Sequence, residues 1–318
     1  MSIKYDRNYV LNAQLNNRND IQVQYPLTLE FNITRKVWSS LNSCIFRVRN
    51  LKLSSRESIL HDKMDYSIQP YLRLSAGYGP APWPQIFNGR VMQAYSFKDS
   101  GSPDFITEWQ GWDFGQTVSS AFSNINLSGS TGEPVTKQQV VNQLVSDMVS
   151  TPDSLVKNTN NPSGLNIGYV SSFSGTYPRG RTLFGPTWQL LQQETQGSAF
   201  IDNGSLHVLK QYDTIGTEIQ AINADTGLLA PPRRTESYLE LEIMFEPSIK
   251  CGQKVSLNSQ TMPVYNGTYQ VLGIEHRGII SASVNGKCTT KLLLFYQIKS
   301  FNSIAKSGLP SIQEGVLG

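Results

Sequence analysis

The sequence predicts a mainly β chain, α+β overall, with two similar antiparallel β-barrel domains and a small helix-containing domain between them. Three observations carry that prediction. A strand-loop-strand order occurs twice: Leu72–Gly77 leads through a Pro-rich loop into Ile86-Phe87-Asn88-Gly89-Arg90-Val91, and Lys254–Ser259 leads into Val264-Tyr265-Asn266-Gly267-Thr268-Tyr269. Period-2 alternation, the mark of a half-buried strand, occurs over Tyr25–Thr34 and again over Leu239–Glu246. Helical periodicity is confined to the middle third.

In chain order, residues 1–22 are Asn-rich and read as an irregular arm. Tyr25, Leu27, Leu29, Phe31 and Ile33 alternate with polar residues as a first strand, and Cys44, Phe46 and Val48 form a second. Ser54-Ser55-Arg56-Glu57 matches a capping box and starts a short helix through Ile59 and Leu60. Strands at 70–77, 86–97 and 105–114 complete a first domain, 1–115. The Asn88-Gly89 and Asn266-Gly267 dipeptides are hairpin-turn signals, since both residues tolerate positive φ. Their recurrence in the same order points to a duplicated β-domain.

The middle domain, 116–210, opens its helical pattern at Thr136 and runs to Ser150, with Val140, Val141, Leu144, Val145 and Met148 on one face. Asn158–Gly180 is rich in Gly, Ser and Asn and reads as a long surface loop. A second helix runs from Thr187 to Gly197, followed by a hairpin turned at Asp202-Asn203-Gly204. The third domain, 211–300, carries strands at 239–245, 254–259, 268–276, 279–284 and 288–296, the last pair turned at Asn285-Gly286; residues 301–318 read as a tail.

Composition narrows the function. The 318 residues suffice for a large core without disulfide or metal staples. Charged residues make up 16%, below the usual quarter, and 27 basic against 24 acidic residues are well mixed, with no basic stripe to track a phosphate backbone. Cys44, Cys251 and Cys288 are widely spaced and form no CxxC, as expected for buried free thiols in a reducing compartment. Met1-Ser2-Ile3-Lys4 begins no signal peptide, so the sequons at Asn32, Asn126, Asn203 and Asn266 are set aside. No apolar run approaches the roughly eighteen residues of a membrane span.

Catalytic signals are thin. Glu108 and Asp113 lie close together among Trp109 and Trp112, but a glycan hydrolase needs a second acid across the scissile bond, and no residue places one. His61, His207 and His276 sit in separate segments without zinc-type spacing, so neither a metal nor a cofactor is expected. There is no nucleophile elbow and no phosphate-binding loop. One segment is unusual: Thr226-Gly227-Leu228-Leu229-Ala230-Pro231-Pro232-Arg233-Arg234-Thr235-Glu236. Its prolines stiffen the approach to the next strand, and its arginines present fork-shaped donors suited to carboxylates. It reads equally as a rigid interdomain linker or as a subunit contact.

The segment 226–236, the strand Tyr238–Glu246, Pro247-Ser248-Ile249-Lys250-Cys251-Gly252-Gln253-Lys254-Val255, Asn266-Gly267-Thr268-Tyr269-Gln270-Val271 and Ile274-Glu275-His276-Arg277-Gly278 together resemble the C-terminal half of bacteriophage baseplate hub proteins. Ser40–Leu51 and Ala76-Gly77-Tyr78 with Ile86-Phe87-Asn88-Gly89 resemble the first domain of the same family. The resemblance implies a non-enzymatic structural protein: a homotrimer with two tube domains per chain, adapting a sixfold tail tube to a threefold central spike. It further implies the spike and the tail tube or a distal tube-initiator protein as partners, baseplate wedge proteins as possible ones, and a lumen that passes DNA without specific binding. The place implied is the virion tail baseplate, after assembly in the host cytoplasm. Leu228, Leu229, Pro231, Pro232, Arg233 and Arg234 become the candidate subunit or spike interface. The equivalent hub of a phage-derived contractile bacteriocin or injection system is the alternative, and a cell-wall glycan hydrolase a more distant one.

Overall fold

Twenty strands and four helices make up a computed structural model that describes residues 5–14, 20–38, 41–59, 71–113, 115–129, 133–151, 164–210, 213–235, 238–283 and 286–296. The first third contains β1 (Arg7–Gln14), β2 (Asp20–Gln24), β3 (Leu29–Lys36), β4 (Ser43–Arg49), α1 (Leu53–Ile59), β5 (Tyr71–Tyr78), β6 (Gln85–Lys98) and β7 (Phe105–Trp112). The middle third holds α2 (Gly115–Ser120), β8 (Phe122–Leu127), β9 (Val135–Thr136), α3 (Lys137–Ser150), β10 (Asn166–Val170), β11 (Thr176–Tyr177), β12 (Arg181–Pro186), α4 (Thr187–Thr195), β13 (Ala199–Asp202) and β14 (Ser205–Val208). The last third contains β15 (Ile215–Asn223), β16 (Arg233–Thr235), β17 (Tyr238–Met244), β18 (Gln253–Asn258), a 3-10 turn at Pro263–Tyr265, β19 (Gly267–Ile280) and β20 (Cys288–Tyr296).

The mainly β expectation holds. Strands of the first and last thirds join one thirteen-stranded sheet, antiparallel except where β15 meets β18, rather than two separate sheets. Its order is β16-β17-β20-β19-β3-β4-β7-β6-β5-β1-β2, with β18 joining β19 to β15, and no ring of strands closes among the described residues. The first-third part nevertheless curls, because Tyr9, Leu11 and Val23 from its far end share a buried cluster with Leu29, Phe31 and Phe46. A second cluster lies under α3 and α4, and a third between β15, β17, β18, β19 and β20.

Each element follows from its residues. In β3 the inward positions Leu29, Phe31 and Ile33 are buried and the alternate ones half-buried, as strict alternation requires. Helix α3 starts at a capping box in which Thr136 Oγ1 accepts from the Gln139 N–H, while Gln139 Oε1 accepts from the Thr136 N–H at 2.7 Å. Helix α4 ends in the left-handed region at Gln196 and Gly197, and Asn203 and Gly204 take positive φ to turn β13 into β14.

Several expectations are corrected. The Asn-rich arm is a hairpin, with β1 paired to both β2 and β5; Tyr9, Leu11 and Ala13 are buried in alternation, a pattern masked by interleaved Asn residues of poor strand propensity. The strand foreseen from Tyr25 begins at Leu29, because residues 25–27 form a turn in which the Leu27 N–H donates to the Gln24 carbonyl. The foreseen surface loop contains β10, parallel to β14, and β11. The strands foreseen at 268–276 and 279–284 are the single strand β19, since Gly278 lies within the β20 ladder opposite Cys288. Leu60, Asn285 and the tail 301–318 lie outside the described residues.

Neither Asn-Gly dipeptide makes a hairpin turn. Asn88-Gly89 lies inside β6, with Gly89 opposite Leu72, and Gly267 opens β19 opposite Leu257. Gly89 is required by close approach: a Cβ there would run into the Trp112 carbonyl oxygen and come within 2.8 Å of the Phe87 ring. The genuine repeat is larger. The path β3-β4-β7-β6-β5 is matched by β16-β17-β20-β19-β18, and it ends there: β1 joins β5 antiparallel, whereas β15 joins β18 parallel. The central long strands share a feature: β6 has a bulge between Val91 and Gln93 against β7, and β19 has one between Val271 and Gly273 against β20. Gly89→Ala should lower stability by about 1–3 kcal/mol in urea unfolding, the cost of forcing a methyl group into a closed backbone contact; an unchanged midpoint would show that β6 can move away from Trp112.

Candidate functional site

Period 2 carries the inward face of β3 from Leu29, Phe31 and Ile33 to Arg35, which is 1% exposed. A buried guanidinium is costly unless most of its donors are met; in Arg35 the two terminal nitrogens carry the contacts and Nε has no hydrogen-bond partner. Arg35 Nη1 donates to Asp202 Oδ1 at 3.1 Å, and Nη2 donates to the Ile249 carbonyl at 3.0 Å and faces His276 Nε2 at 3.1 Å. Because arginine only donates, His276 Nε2 accepts, and Nδ1 carries the proton toward Thr290 Oγ1 at 2.9 Å. Burial and the Arg35 charge both push the His276 pKa well below its usual value, in keeping with a neutral ring. Asp202 Oδ2 also accepts from the Cys251 N–H. One guanidinium thus joins β3, the β13–β14 turn and the second half of the sheet.

A second buried unit lies beside it. Asn42 Nδ2 donates to Asp113 Oδ2 and to the Ile201 carbonyl, both at 2.8 Å, and its N–H donates to Asp113 Oδ1. Burial, helped by the nearby Asp202 carboxylate, pushes the Asp113 carboxyl up to about 8, against the pull of Asn42 and Arg35.

The opposite face of the sheet is polar. Glu30, Asn32, Thr34 and Lys36 of β3 share it with Arg47, Glu108, Glu242, Glu275 and Lys291 from the paired strands. Arg47 Nε donates to Glu108 Oε2 at 2.6 Å and its Nη1 lies 3.6 Å from Glu30 Oε1, while Tyr95 and Gln110 donate to Glu108 Oε1. Burial raises the Glu108 carboxyl, but these donors outweigh it and hold the pKa below its ordinary value. Lys287 pairs with Glu242.

The sequence-predicted residues distribute unevenly over this frame. Leu228 bridges Ile243 and is half-buried, the Leu229 N–H donates to the Glu242 carbonyl at 2.9 Å, and Pro232 is buried. Pro231 and Arg233 line a groove of about 580 Å³ with Glu240, Glu275 and Lys36. Arg233 and Arg234 belong to β16, opposite Glu240 and Leu239. Within the segment, Arg233–Thr235 form a short strand at the end of the sheet path. Glu108 and Asp113 are on different sides of the sheet, each held by its own partners. His207 accepts from the Tyr169 N–H at Nδ1 and stacks on Phe200; all three cysteines are buried, and His61 lies outside the described residues.

Comparison with known proteins adds to this geometry. The family model described as Baseplate hub gp41 matches residues 10–279. The chain belongs to that family. Its fold is also that of two solved tail proteins. One is the tail protein from Neisseria meningitidis MC58, with 9% identity, TM-score 0.55, and coverage of 92% of this chain and 97% of that one. The other is the 43 kDa tail protein of prophage MuSo2 from Shewanella oneidensis, with 10% identity, TM-score 0.57, and coverage of 93% and 99%. No curated protein sequence matches. The hub family makes the chain a structural component of a phage tail.

In this hub the residues that tie the molecule together were not those singled out from sequence. Arg35 was visible only as a charge at the next inward position of an apolar strand, and Asp202 only as a turn residue. Arg35→Ala should cost about 3–5 kcal/mol in denaturant unfolding, because Asp202 is left buried without its counter-charge. The Asp113 carboxyl has a folded pKa raised from 3.8 to about 8, so the native state holds its proton longer than the unfolded chain. Its contribution is fully present at low pH and is lost as pH rises toward 8. Relative to Asp113→Asn, wild-type stability should fall by up to about 1.4 kcal/mol per pH unit between pH 5 and 8 in urea titrations; parallel curves would place the ionised carboxylate in the native state.

Proposed function

We propose that this hub acts as a homotrimer that joins the sixfold tail tube to the threefold central spike, with two tube units per chain arranged as six around a common channel. The observation that carries this reading is a five-strand antiparallel path followed twice, each copy containing a bulged fourteen-residue strand. Two copies in each of three chains give a pseudo-sixfold ring, the one arrangement in which a threefold assembly can present matching surfaces to a sixfold tube. Residues 1–115 and 211–300 supply the two units, and 116–210 form the module between them, held by Asp202 and Ile201 to Arg35 and Asn42.

The polar sheet face would line the channel. Its carboxylates alternate with Arg47, Lys36, Arg277 and Lys291, and several are paired in place. Such a surface carries no continuous cationic track, so DNA passes without gathering the many phosphate contacts that would arrest it. The edge strand containing Arg233 and Arg234, with Leu228, Leu229, Pro231 and Pro232 leading into it, is the subunit contact rather than a spike contact. The work is mechanical: no acid–base pair or nucleophile is needed, and force passes along hydrogen-bonded ladders. Light scattering of the purified chain should give three times the 35.4 kDa chain mass; a monomer that stays monomeric at high concentration and in the presence of tube and spike proteins overturns the reading.

A further inference from the structure

The chain already contains one junction between its two sheet halves. Residues Gly273–Gly278 of β19 pair on one edge with β20, and Gly273–Ile280 pair on the other with β3, from Gly273↔Lys36 to Ile280↔Leu29. On that second edge β18 comes first, ending at Gln270, and β3 follows. Strand β6 is laid out in the same way. Its second edge carries β5 through Arg90, while Gln93–Lys98 have β7 as their only strand partner among the described residues, with α1 packed near the strand.

The two halves can be matched residue by residue through the bulges. A row across the first half runs Asn32↔Ile45↔Gln110↔Gln93, ending one residue past the β6 bulge. The corresponding row in the second half runs Arg233↔Glu240↔Leu293↔Gly273, ending one residue past the β19 bulge. Thus β16 corresponds to β3, and the outer edge of β6 to the β19 edge that β3 covers. A side-chain detail agrees with the match. Ser96 and Thr107 share a hydrogen bond of 2.9 Å at the positions where His276 and Thr290 share one of 2.9 Å.

Resting on the trimer reading above, we infer that the outer edge of β6 pairs antiparallel with β16 of a second copy, in the register of the internal junction. Copying Glu275↔Thr34, His276↔Ile33 and Arg277↔Asn32 sets Tyr95 opposite Thr235, Ser96 opposite Arg234 and Phe97 opposite Arg233. Side-chain chemistry fits that register. Tyr95 and Phe97 lie ring to ring at 5.7 Å, and Phe97 is 38% exposed, so the partner's Arg233 guanidinium meets an aromatic face. Pro231 and Pro232 have no N–H to donate and end the ladder after Phe97. The contact is head-to-tail: each copy offers a β6 edge on one side and β16 on the other, which lets a ring close.

The register can be tested by cross-linking. The Val37 N–H donates to the Leu272 carbonyl at 2.9 Å, so even-numbered β19 residues bond toward β3 and Arg277↔Asn32 is a non-hydrogen-bonded pair. The matching pair, Phe97 and Arg233, then has Cα atoms about 4.5 Å apart, within disulfide reach. The native thiols are all buried. A full-length Phe97→Cys/Arg233→Cys variant, oxidised with copper phenanthroline, should run as a covalent trimer on non-reducing gels. Each single variant should run as a monomer, and the shifted pair Phe97→Cys/Thr235→Cys should cross-link at least tenfold less. Light scattering on the same samples separates the failures. A trimer in solution with no cross-link, or with equal cross-linking by the shifted pair, overturns the junction and leaves the trimer standing. A monomer overturns both. If the melting temperature of the reduced variant departs from wild type, Tyr95→Cys/Thr235→Cys, the other non-bonded pair, takes its place with the same outcomes.

Discussion

Arg35 is the constraint on which the rest of the architecture depends. Burying a guanidinium and a carboxylate costs several kcal/mol per ion, offset only when nearly every donor and acceptor finds a partner. Here the partners are contributed by three parts of the chain: Asp202 by the middle module, and the Ile249 carbonyl and His276 by the second half of the sheet. None of the three can leave without stranding a charge. The cost of the buried ion therefore becomes cooperativity between the three parts. The neutral state of His276 belongs to the same logic, since a charged ring against Arg35 would set two cations side by side in a dry site.

The sheet explains how two copies of one path fit in a single chain without separating. Strand β19 serves both edges, taking β18 and then β3 along one side and β20 along the other. The bulge after Val271 lies where the neighbour on that side changes from β18 to β3. A bulge adds local twist, which lets the strand leave one partner's plane and enter another's. Strand β6 carries the same bulge at the equivalent place. Short edge strands such as β16, closed off by Pro231 and Pro232, limit the hazard of an open ladder by allowing brief pairing and no more.

How much of this was legible in sequence depended on where the information resides. Alternation in Leu29–Ile33 and Leu239–Ile243 and the apolar stripe of α3 were readable because burial acts on each residue locally. The duplication was sensed through Asn88-Gly89 and Asn266-Gly267, but for the wrong reason. The dipeptides lie two residues out of register once the bulges are matched, and neither turns the chain. The Asn-rich hairpin β1–β2 was missed because its inward residues are few and its outward ones disfavour strands. The ion-pair joint could not be read at all, since Arg35 and Asp202 are far apart in sequence and meet only once the middle module docks.

The polar face and the buried joint make opposite demands on the same strands, and the alternation of β3 meets both. Glu30, Asn32, Thr34 and Lys36 point to one side, Leu29, Phe31, Ile33 and Arg35 to the other. A one-residue slip of β3 against β19 would exchange the two sets, placing Glu30 among phenylalanines and Arg35 in the open groove. Arg35 therefore does more than join modules. A slipped register would separate it from Asp202 and leave that carboxylate buried without its counter-charge, a penalty added to that of misplaced apolar residues.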